Sequence, residues 1–443
     1  MSSFPPKKMI SQKKNFSRKK GMCALSRPSL APVQLRIIKM VQGGNGMARL
    51  PDGRVCFVQG ALPGELCEVE LTFQKKDFTR GRVVSVVEPS PDRVVPKCPL
   101  YGKCGGCSLQ HLESSKQAKY MEQVERENFR RLAHAELPEN FVIHTGNPWG
   151  YRNRARVVPQ FVRDGACSGF AFREQESNAL IPFENCPVLT PALNEFLQGP
   201  ARKLFASGVL PRPGRFARPD EVSLNVFDNG KGEVSYFYRG MSREEFQKNA
   251  VSVVEIEGRK IEADASVFFQ SNLGLLPELV KSVRRAVDEG LSNGNACNDW
   301  LIDLFSGVGF FAAFLQDKFK RVTTVERDEG CLKHAKNNLS VTGFAATSVE
   351  NVSAPAEDWL ARHVVDIPAT LIVDPPRTGL PGEALDAIVR SSVKRLIYVS
   401  CDPVTLARDY AKLATAGFKL DHAEGFAFYP QTPHLEMLFI LSR

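Results

Sequence analysis

Nowhere in the 443 residues does an uninterrupted apolar run approach the roughly 20 that a membrane-spanning helix needs. The N-terminus carries lysines where a secretory signal would have its apolar core, so a membrane or exported protein is not expected and a cytoplasmic one is. Acids are missing from the start of the chain: eleven of the 58 Lys and Arg precede Asp52, the first acid, and the remaining basic residues nearly balance the 49 acids. The net charge of +9 is therefore an N-terminal property. Lys7, Lys8, Lys13, Lys14, Arg18, Lys19 and Lys20 lie among Ser, Pro and Gln without apolar period, so residues 1–32 read as a disordered arm, either attracted to phosphate or merely solvated. A disulfide framework is also missing. The eleven cysteines are odd in number, and residues such as Cys56 and Cys67 sit singly in apolar runs, as reduced core cysteines do. No internal repeat is present, and the length calls for two or three domains.

Residues 33–95 alternate apolar and polar in short runs, punctuated as turns by Gly43-Gly44-Asn45-Gly46, Pro51-Asp52-Gly53 and Leu62-Pro63-Gly64. This spacing predicts a small closed β-barrel of oligonucleotide-binding type. Lys75, Lys76, Arg80 and Arg82 on one hairpin would supply phosphate contacts or form an ordinary solvent face. A central region, 96–264, begins with a cysteine-rich turn and a helix from about Ser114 to His134. It continues as a β-rich insert with turns at Pro211-Arg212-Pro213-Gly214 and Asp228-Asn229-Gly230. From Ala265 to the end, helix (Leu273 to Glu289) and strand alternate, which predicts an α/β, doubly wound, Rossmann-like domain over 265–443.

Three apolar strands of that domain stop abruptly in small or Pro-containing loops, where open α/β sheets bind ligands. After Leu304-Phe305, Gly307 and Gly309 permit a tight turn, and Glu326 ends the next strand at the distance expected of a ribose-binding carboxylate. NAD is the rival ligand. The loop has no third glycine for a pyrophosphate, which favours S-adenosylmethionine, a cofactor without phosphate. Asp374-Pro375-Pro376-Arg377 sets a second carboxylate at a strand end, facing a ligand or capping the next helix. The third strand ends in Ser400-Cys401-Asp402-Pro403. A thiolate can add to carbon-6 of uracil, which makes carbon-5 nucleophilic, and can later be eliminated. Cys401 would need its pKa lowered, and a helix over Pro403 to Ala414 offers its N-terminus for that purpose. Glu436, at the start of the last strand, is the candidate base for removing the carbon-5 proton.

In this combination the chain resembles the RNA uracil-5 methyltransferases, most closely the iron-sulfur-containing bacterial 23S rRNA (uracil-5-)-methyltransferases, over about residues 33–443. The resemblance implies Cys401 as nucleophile and Glu436 as base, with Gln270, Phe305, Glu326, Asn351 and Asp374 contacting S-adenosylmethionine. It also implies that the barrel is a TRAM domain. One departure is Phe310, which stands where the family usually has Asn after Gly-x-Gly.

Cys98, Cys104 and Cys107 form a Cys-x5-Cys-x2-Cys run, and Cys186-Pro187 follows in the insert. Four thiolates could hold zinc or a [4Fe-4S] cluster, and chemistry alone hardly separates them. The resemblance implies the cluster, on Cys98, Cys104, Cys107 and Cys186. The implied partner is structured RNA, 23S rRNA rather than tRNA, bound by a monomer. Arm and barrel would grip its backbone, Tyr151-Arg152-Asn153-Arg154-Ala155-Arg156 would add contacts, and the target base would rotate out of its stack. Cytosine-5 methylation would call for a cysteine beside the Asp-Pro motif, where Pro376-Arg377 stands. Radical methylthiolation would call for Cys-x3-Cys-x2-Cys. A non-catalytic RNA-binding or ribosome-assembly protein would have no need of Cys401 and Glu436.

Overall fold

The computed structural model describes residues 31–162, 166–177, 179–206, 223–294, 296, 298–340, 348–363 and 365–443. The basic arm up to residue 30 and the turn at 211–214 lie outside the described residues.

Six strands, β1 (Val33–Arg36), β2 (Lys39–Val41), β3 (Asn45–Arg49), β4 (Val55–Gln59), β5 (Leu66–Gln74) and β6 (Phe78–Glu88), form a sheet in the order β1-β5-β6-β4-β3-β2. Their alternation buries every second residue, and Leu35, Ile37, Ala48, Cys56, Val58, Cys67 and Val69 share one core. The turn expected at residues 43–46 is shorter than its glycines suggest, because Asn45 and Gly46 already belong to β3. Gly46 is needed there: a Cβ would lie 2.7 Å from the Ile37 side chain.

Helix α1 (Ser114–Ala133) buries Gln117, Met121, Val124, Glu125, Asn128 and Phe129 along one face and ends where His134 turns left-handed. Beyond it come β7 (Val142–His144), β8 (Arg154–Phe161), β9 (Cys167–Arg173), β10 (Leu180–Phe183), β11 (Leu224–Asp228) and β12 (Val234–Tyr238). The last five form an antiparallel sheet, β10-β9-β8-β11-β12, packed on α2 (Pro191–Gln198) and α3 (Pro200–Ala206). Helix α4 (Arg243–Asn249), closed by a Ser242/Glu245 capping box, leads to the hairpin β13 (Val251–Ile256) and β14 (Arg259–Asp264).

The remaining chain alternates as the sequence predicts: α5 (Leu276–Ser292), β15 (Trp300–Leu304), α6 (Phe310–Leu315), β16 (Arg321–Glu326), α7 (Glu329–Leu339), β17 (Ser348–Ser353), α8 (Ala356–Arg362), β18 (Ala369–Val373), α9 (Gly382–Arg390), β19 (Val393–Ser400), α10 (Pro403–Thr415), β20 (Lys419–Phe426) and β21 (Glu436–Ser442). The sheet order is β17-β16-β15-β18-β19-β21-β20-β7, with the first five strands parallel and β21 antiparallel to both its neighbours. Helices cover both faces, so β15 and β18 are buried at every position. Two elements of the 96–264 region belong to this layer. Strand β7 completes the sheet edge beside β20, and α1 packs on α10, with Phe129 centred 5.1 Å from Tyr410 and 5.3 Å from Phe439. Apolar contact, not chain order, assigns them. No helix among the described residues is long and apolar enough to cross a membrane.

Candidate active site

Register alone brings most of the expected residues to one edge. Leu304 pairs with Val325 on one side and Val373 on the other, so Phe305, Glu326 and Asp374 emerge side by side at the carboxyl ends of β15, β16 and β18. The strand order reverses at β15, the crevice where open sheets of this kind bind nucleotides. Phe305 is held at φ 59°, a left-handed conformation costly for an aromatic residue. Gly309, at φ 72°, turns the chain into α6. The Glu326 carboxylate accepts from the Gly307 N–H (3.0 Å) and the Asp328 N–H (2.8 Å), which fixes both oxygens at the crevice while each keeps a further lone pair for a diol.

Gln270 enters from the loop between β14 and α5. It is buried, and its Oε1 has no hydrogen-bond partner among the described residues. Phe310 lies behind this loop. Its ring meets Phe269 edge to face at 5.9 Å and packs on Phe311 and Phe314 at 5.2 Å, so this position supports the Gln270 loop through apolar contact. Asn351 sits two residues short of the end of β17, and its Oδ1 accepts from the Thr324 hydroxyl at 2.8 Å. It is thus deeper than Glu326, with its carbonyl already engaged.

Ser400 pairs with Met437 across β19 and β21, so one step further Cys401 stands opposite Glu436. Glu436 is 4% exposed, and its Oε1 has no partner among the described residues. Burial, then the nearby Asp374, push its pKa well above the carboxylate range. Asp374 is itself pushed up to about 7 by desolvation. It does not cap a helix, since α9 starts eight residues later behind Pro381.

The expectation for the thiol fails. Cys401 is raised to about 12, first by burial and then by the charges of Glu436 and Asp374, with the Arg377 guanidinium opposing them. Helix α10 does begin beside it, but the Asp402 side chain caps that helix and accepts from the Val404 and Thr405 N–H groups at 3.0 Å each. The free donors that would have stabilised a thiolate are spent on Asp402. Sequence reasoning also passed over Tyr429 as a site residue. Its partly buried phenol, pushed up first by burial, lies within the field of both Glu436 and Cys401.

A model of the tRNA (Uracil-5-)-methyltransferase family matches residues 245–443, and a TRAM domain model matches 39–84. A 23S rRNA (uracil(1939)-C(5))-methyltransferase of Tolumonas auensis is 30% identical over 88% of this chain and 92% of its own length. Another enzyme of that name, from Alkalilimnicola ehrlichii, is 31% identical over 93% of this chain and 97% of its own. The chain belongs to the RNA uracil-5 methyltransferase family. Among solved structures, the Pyrococcus abyssi tRNA (uracil-54, C5)-methyltransferase in complex with S-adenosyl-L-homocysteine shares the fold, with a TM-score of 0.69 at 21% identity over 92% of this chain and all of its own.

The four cysteines expected to act together each lie within the electrostatic field of another of the set. Electrostatically, Cys98 neighbours Cys104, Cys104 neighbours Cys107, Cys107 neighbours Cys186 and Cys186 neighbours Cys98, and none forms a disulfide. Burial raises the thiols of Cys104, Cys107 (to about 11) and Cys186. Among the described residues no group of three or more His, Cys, Asp or Glu is drawn closely enough together to hold a metal ion.

The expected RNA-facing residues divide. Phe73, 43% exposed, lies between Lys75 and Arg80 on the β5–β6 hairpin, at the mouth of a groove of about 1380 Å³ between the six-stranded sheet, α1 and the cysteine turn. Arg82 is held by Glu70 at 2.7 Å. The 151–156 run is mostly an internal seam, with Arg156 alone exposed. The Tyr151 hydroxyl donates to the Pro430 carbonyl at 2.9 Å, and Arg154, stacked over Phe227, donates to the carbonyls of Asp264 and Val267. Desolvation of a guanidinium is tolerated there because backbone carbonyls replace water.

Proposed function

We propose that this protein methylates carbon-5 of one uridine in 23S rRNA, using S-adenosyl-L-methionine. The observation that carries this reading is the placement of Cys401 opposite Glu436 at the crevice edge that also holds Phe305, Glu326 and Asp374. Glu326 would take the ribose hydroxyls of the donor, Gln270 and Asp374 its other polar groups, and Phe305 a face of the adenosyl moiety. Asn351 would act at one remove, through Thr324. The donor supplies the methyl group. Cys401 adds to carbon-6 as thiolate, carbon-5 takes the methyl group, Glu436 removes the carbon-5 proton, and the bond to Cys401 then breaks.

Ionisation in this site is a shared matter. Cys401, Glu436 and Asp374 oppose one another's negative charge, with Arg377 as the compensating cation, so a protonated Glu436 eases formation of the thiolate. The same burial makes the Glu436 carboxylate a stronger base once it is ionised, as removal of a carbon-bound proton requires.

The division of labour proposed is a basic arm (1–32), a TRAM barrel (33–95) and a central region (96–264) engaging RNA around a methyltransferase domain (265–443), in a cytoplasmic monomer. Cys98, Cys104, Cys107 and Cys186 would hold a [4Fe-4S] cluster, which supplies structural cross-linking of the turn to the insert. The ring of unpaired thiols supports this donor set, and methyl transfer moves no net electrons through it. The named relatives support rRNA. The family model and the archaeal fold neighbour favour tRNA as the second reading. Mapping 5-methyluridine in 23S rRNA and tRNA of cells with and without the protein decides between them, and no change in either RNA would refute both.

A further inference from the structure

Gln431 is fully buried, yet it lies in a loop and adopts φ 69°, a left-handed backbone that side-chain-bearing residues rarely hold. Such a conformation persists only where its surroundings over-determine it. Five hydrogen bonds do so. The Gln117 amide of α1 donates to Gln431 Oε1 and accepts from the Gln431 N–H, both at 3.0 Å, and Gln431 Nε2 donates to the Ser114 hydroxyl at 3.0 Å. The Gln431 carbonyl accepts from the Ser108 and Leu109 N–H groups at 3.0 and 2.9 Å. Ser108 directly follows Cys107, and Gln431 lies five positions before Glu436. Next to this clasp the Tyr151 hydroxyl holds the Pro430 carbonyl.

We propose that Gln431 and Gln117 form a positioning clasp that fixes the Glu436 loop against the cysteine turn, so that the order of that turn controls the proton-abstraction step. The inference rests on the methylation reading above. Cys401 is carried by β19 and α10, outside the loop that the clasp holds, so addition to carbon-6 is spared when the clasp is cut. Glu436 is reached from Gln431 through one short segment, so its placement is not. A contact that only stabilised the fold would slow both steps alike.

The test compares Gln117→Ala and Gln431→Ala with the parent protein on two RNAs. On 5-fluorouridine RNA with donor, where the reaction stops before elimination, adduct should form within about two-fold of the parent rate. On uridine RNA, methylated RNA should accumulate covalently on the variants by at least about ten-fold, a fraction of the 10²–10⁴ that a positioned base contributes. Hydrogen exchange across 427–435 should rise in both variants. Equal loss at both steps, or an unchanged partition between them, overturns the proposal. If Gln117→Ala does not fold, Gln117→Glu, which keeps the acceptor for the Gln431 N–H and loses the donor, should show the same partition in milder form. A parent protein that forms no 5-fluorouridine adduct refutes the methylation reading itself, and this proposal with it.

Discussion

Replacing Glu436 by Gln keeps the shape of a buried side chain and removes its ability to take a proton. A positioned base contributes about 10² to 10⁴ in rate, or about 3 to 5 kcal/mol at the barrier, so elimination from the methylated adduct should slow by that factor. Formation of the adduct should not slow. Burial favours the neutral form of Glu436 in the parent, and Gln likewise places no negative charge opposite the Cys401 thiol. Glu436→Gln is therefore expected to collect RNA, already methylated, in a denaturation-resistant complex. Denaturing gels with methyl-labelled donor read the complex, and nuclease digestion with mass spectrometry shows whether carbon-5 carries the methyl group. Release of free 5-methyluridine RNA at the parent rate would remove Glu436 from the mechanism, and absence of any complex would remove the facing arrangement with Cys401 as its cause.

Cys401→Ala should abolish the complex in both backgrounds, and a residual adduct would assign the nucleophile elsewhere. Protein prepared without oxygen should absorb near about 400 nm and lose that band in Cys186→Ser, whereas zinc on the same thiols would give no visible band. His334 donates into two carboxylates, Asp264 at 2.7 Å and Glu262 at 2.8 Å; burial would lower its pKa, but these bonds and charges raise it above the ordinary histidine value. Its contribution to stability is thus full below the unfolded histidine pKa and lost as pH rises through the folded one, so Tm should fall over that range in the parent and less in His334→Gln; equal slopes would show that the pair is neutral. Phe129→Ala should cost about 3 to 5 kcal/mol in denaturant unfolding by freeing α1 from Tyr410 and Phe439, and a loss under 1 kcal/mol would show that α1 is held by other contacts.

Much of this site was legible because it is built from strand ends. An apolar run closed by glycine or proline marks both a buried parallel strand and the point where it meets ligand, so Phe305, Glu326, Asp374 and Cys401 could be placed without knowing the packing. Electrostatics was not legible in the same way. The sequence shows a helix following Cys401, but only the folded chain shows that the thiol is buried beside Glu436 and Asp374, which raises its pKa, and that Asp402 takes the first N–H groups of the helix expected to lower it. Arginine clusters misled for a related reason. Arg154 looks like an RNA contact in a basic run and is instead buried against backbone carbonyls, a partnership that depends on residues over a hundred positions away. Helix α1 and β7 could not be assigned from order along the chain because their partners, α10 and β20, come nearly 300 residues later.

The antiparallel last strand explains how the proposed nucleophile, Cys401, and the proposed base, Glu436, come to face each other. Parallel strands deliver only their carboxyl ends to the crevice, so β15, β18 and β19 each contribute the residue that follows the strand and β16 contributes its last residue. A base opposite Cys401 must come from a strand adjacent to β19, and β18, on one side, already supplies Asp374. On the other side β21 runs the opposite way, so its first residue, Glu436, reaches the edge where its neighbours end. The approach of that strand then matters as much as its pairing, because the loop before it is what aims the carboxylate. In this chain the loop is held by Gln431, Gln117, Tyr151 and the residues after Cys107. In the proposed mechanism an antiparallel insertion into a doubly wound sheet thereby adds a base to a cofactor crevice, and the proposed clasp makes the placement of that base dependent on elements outside the sheet.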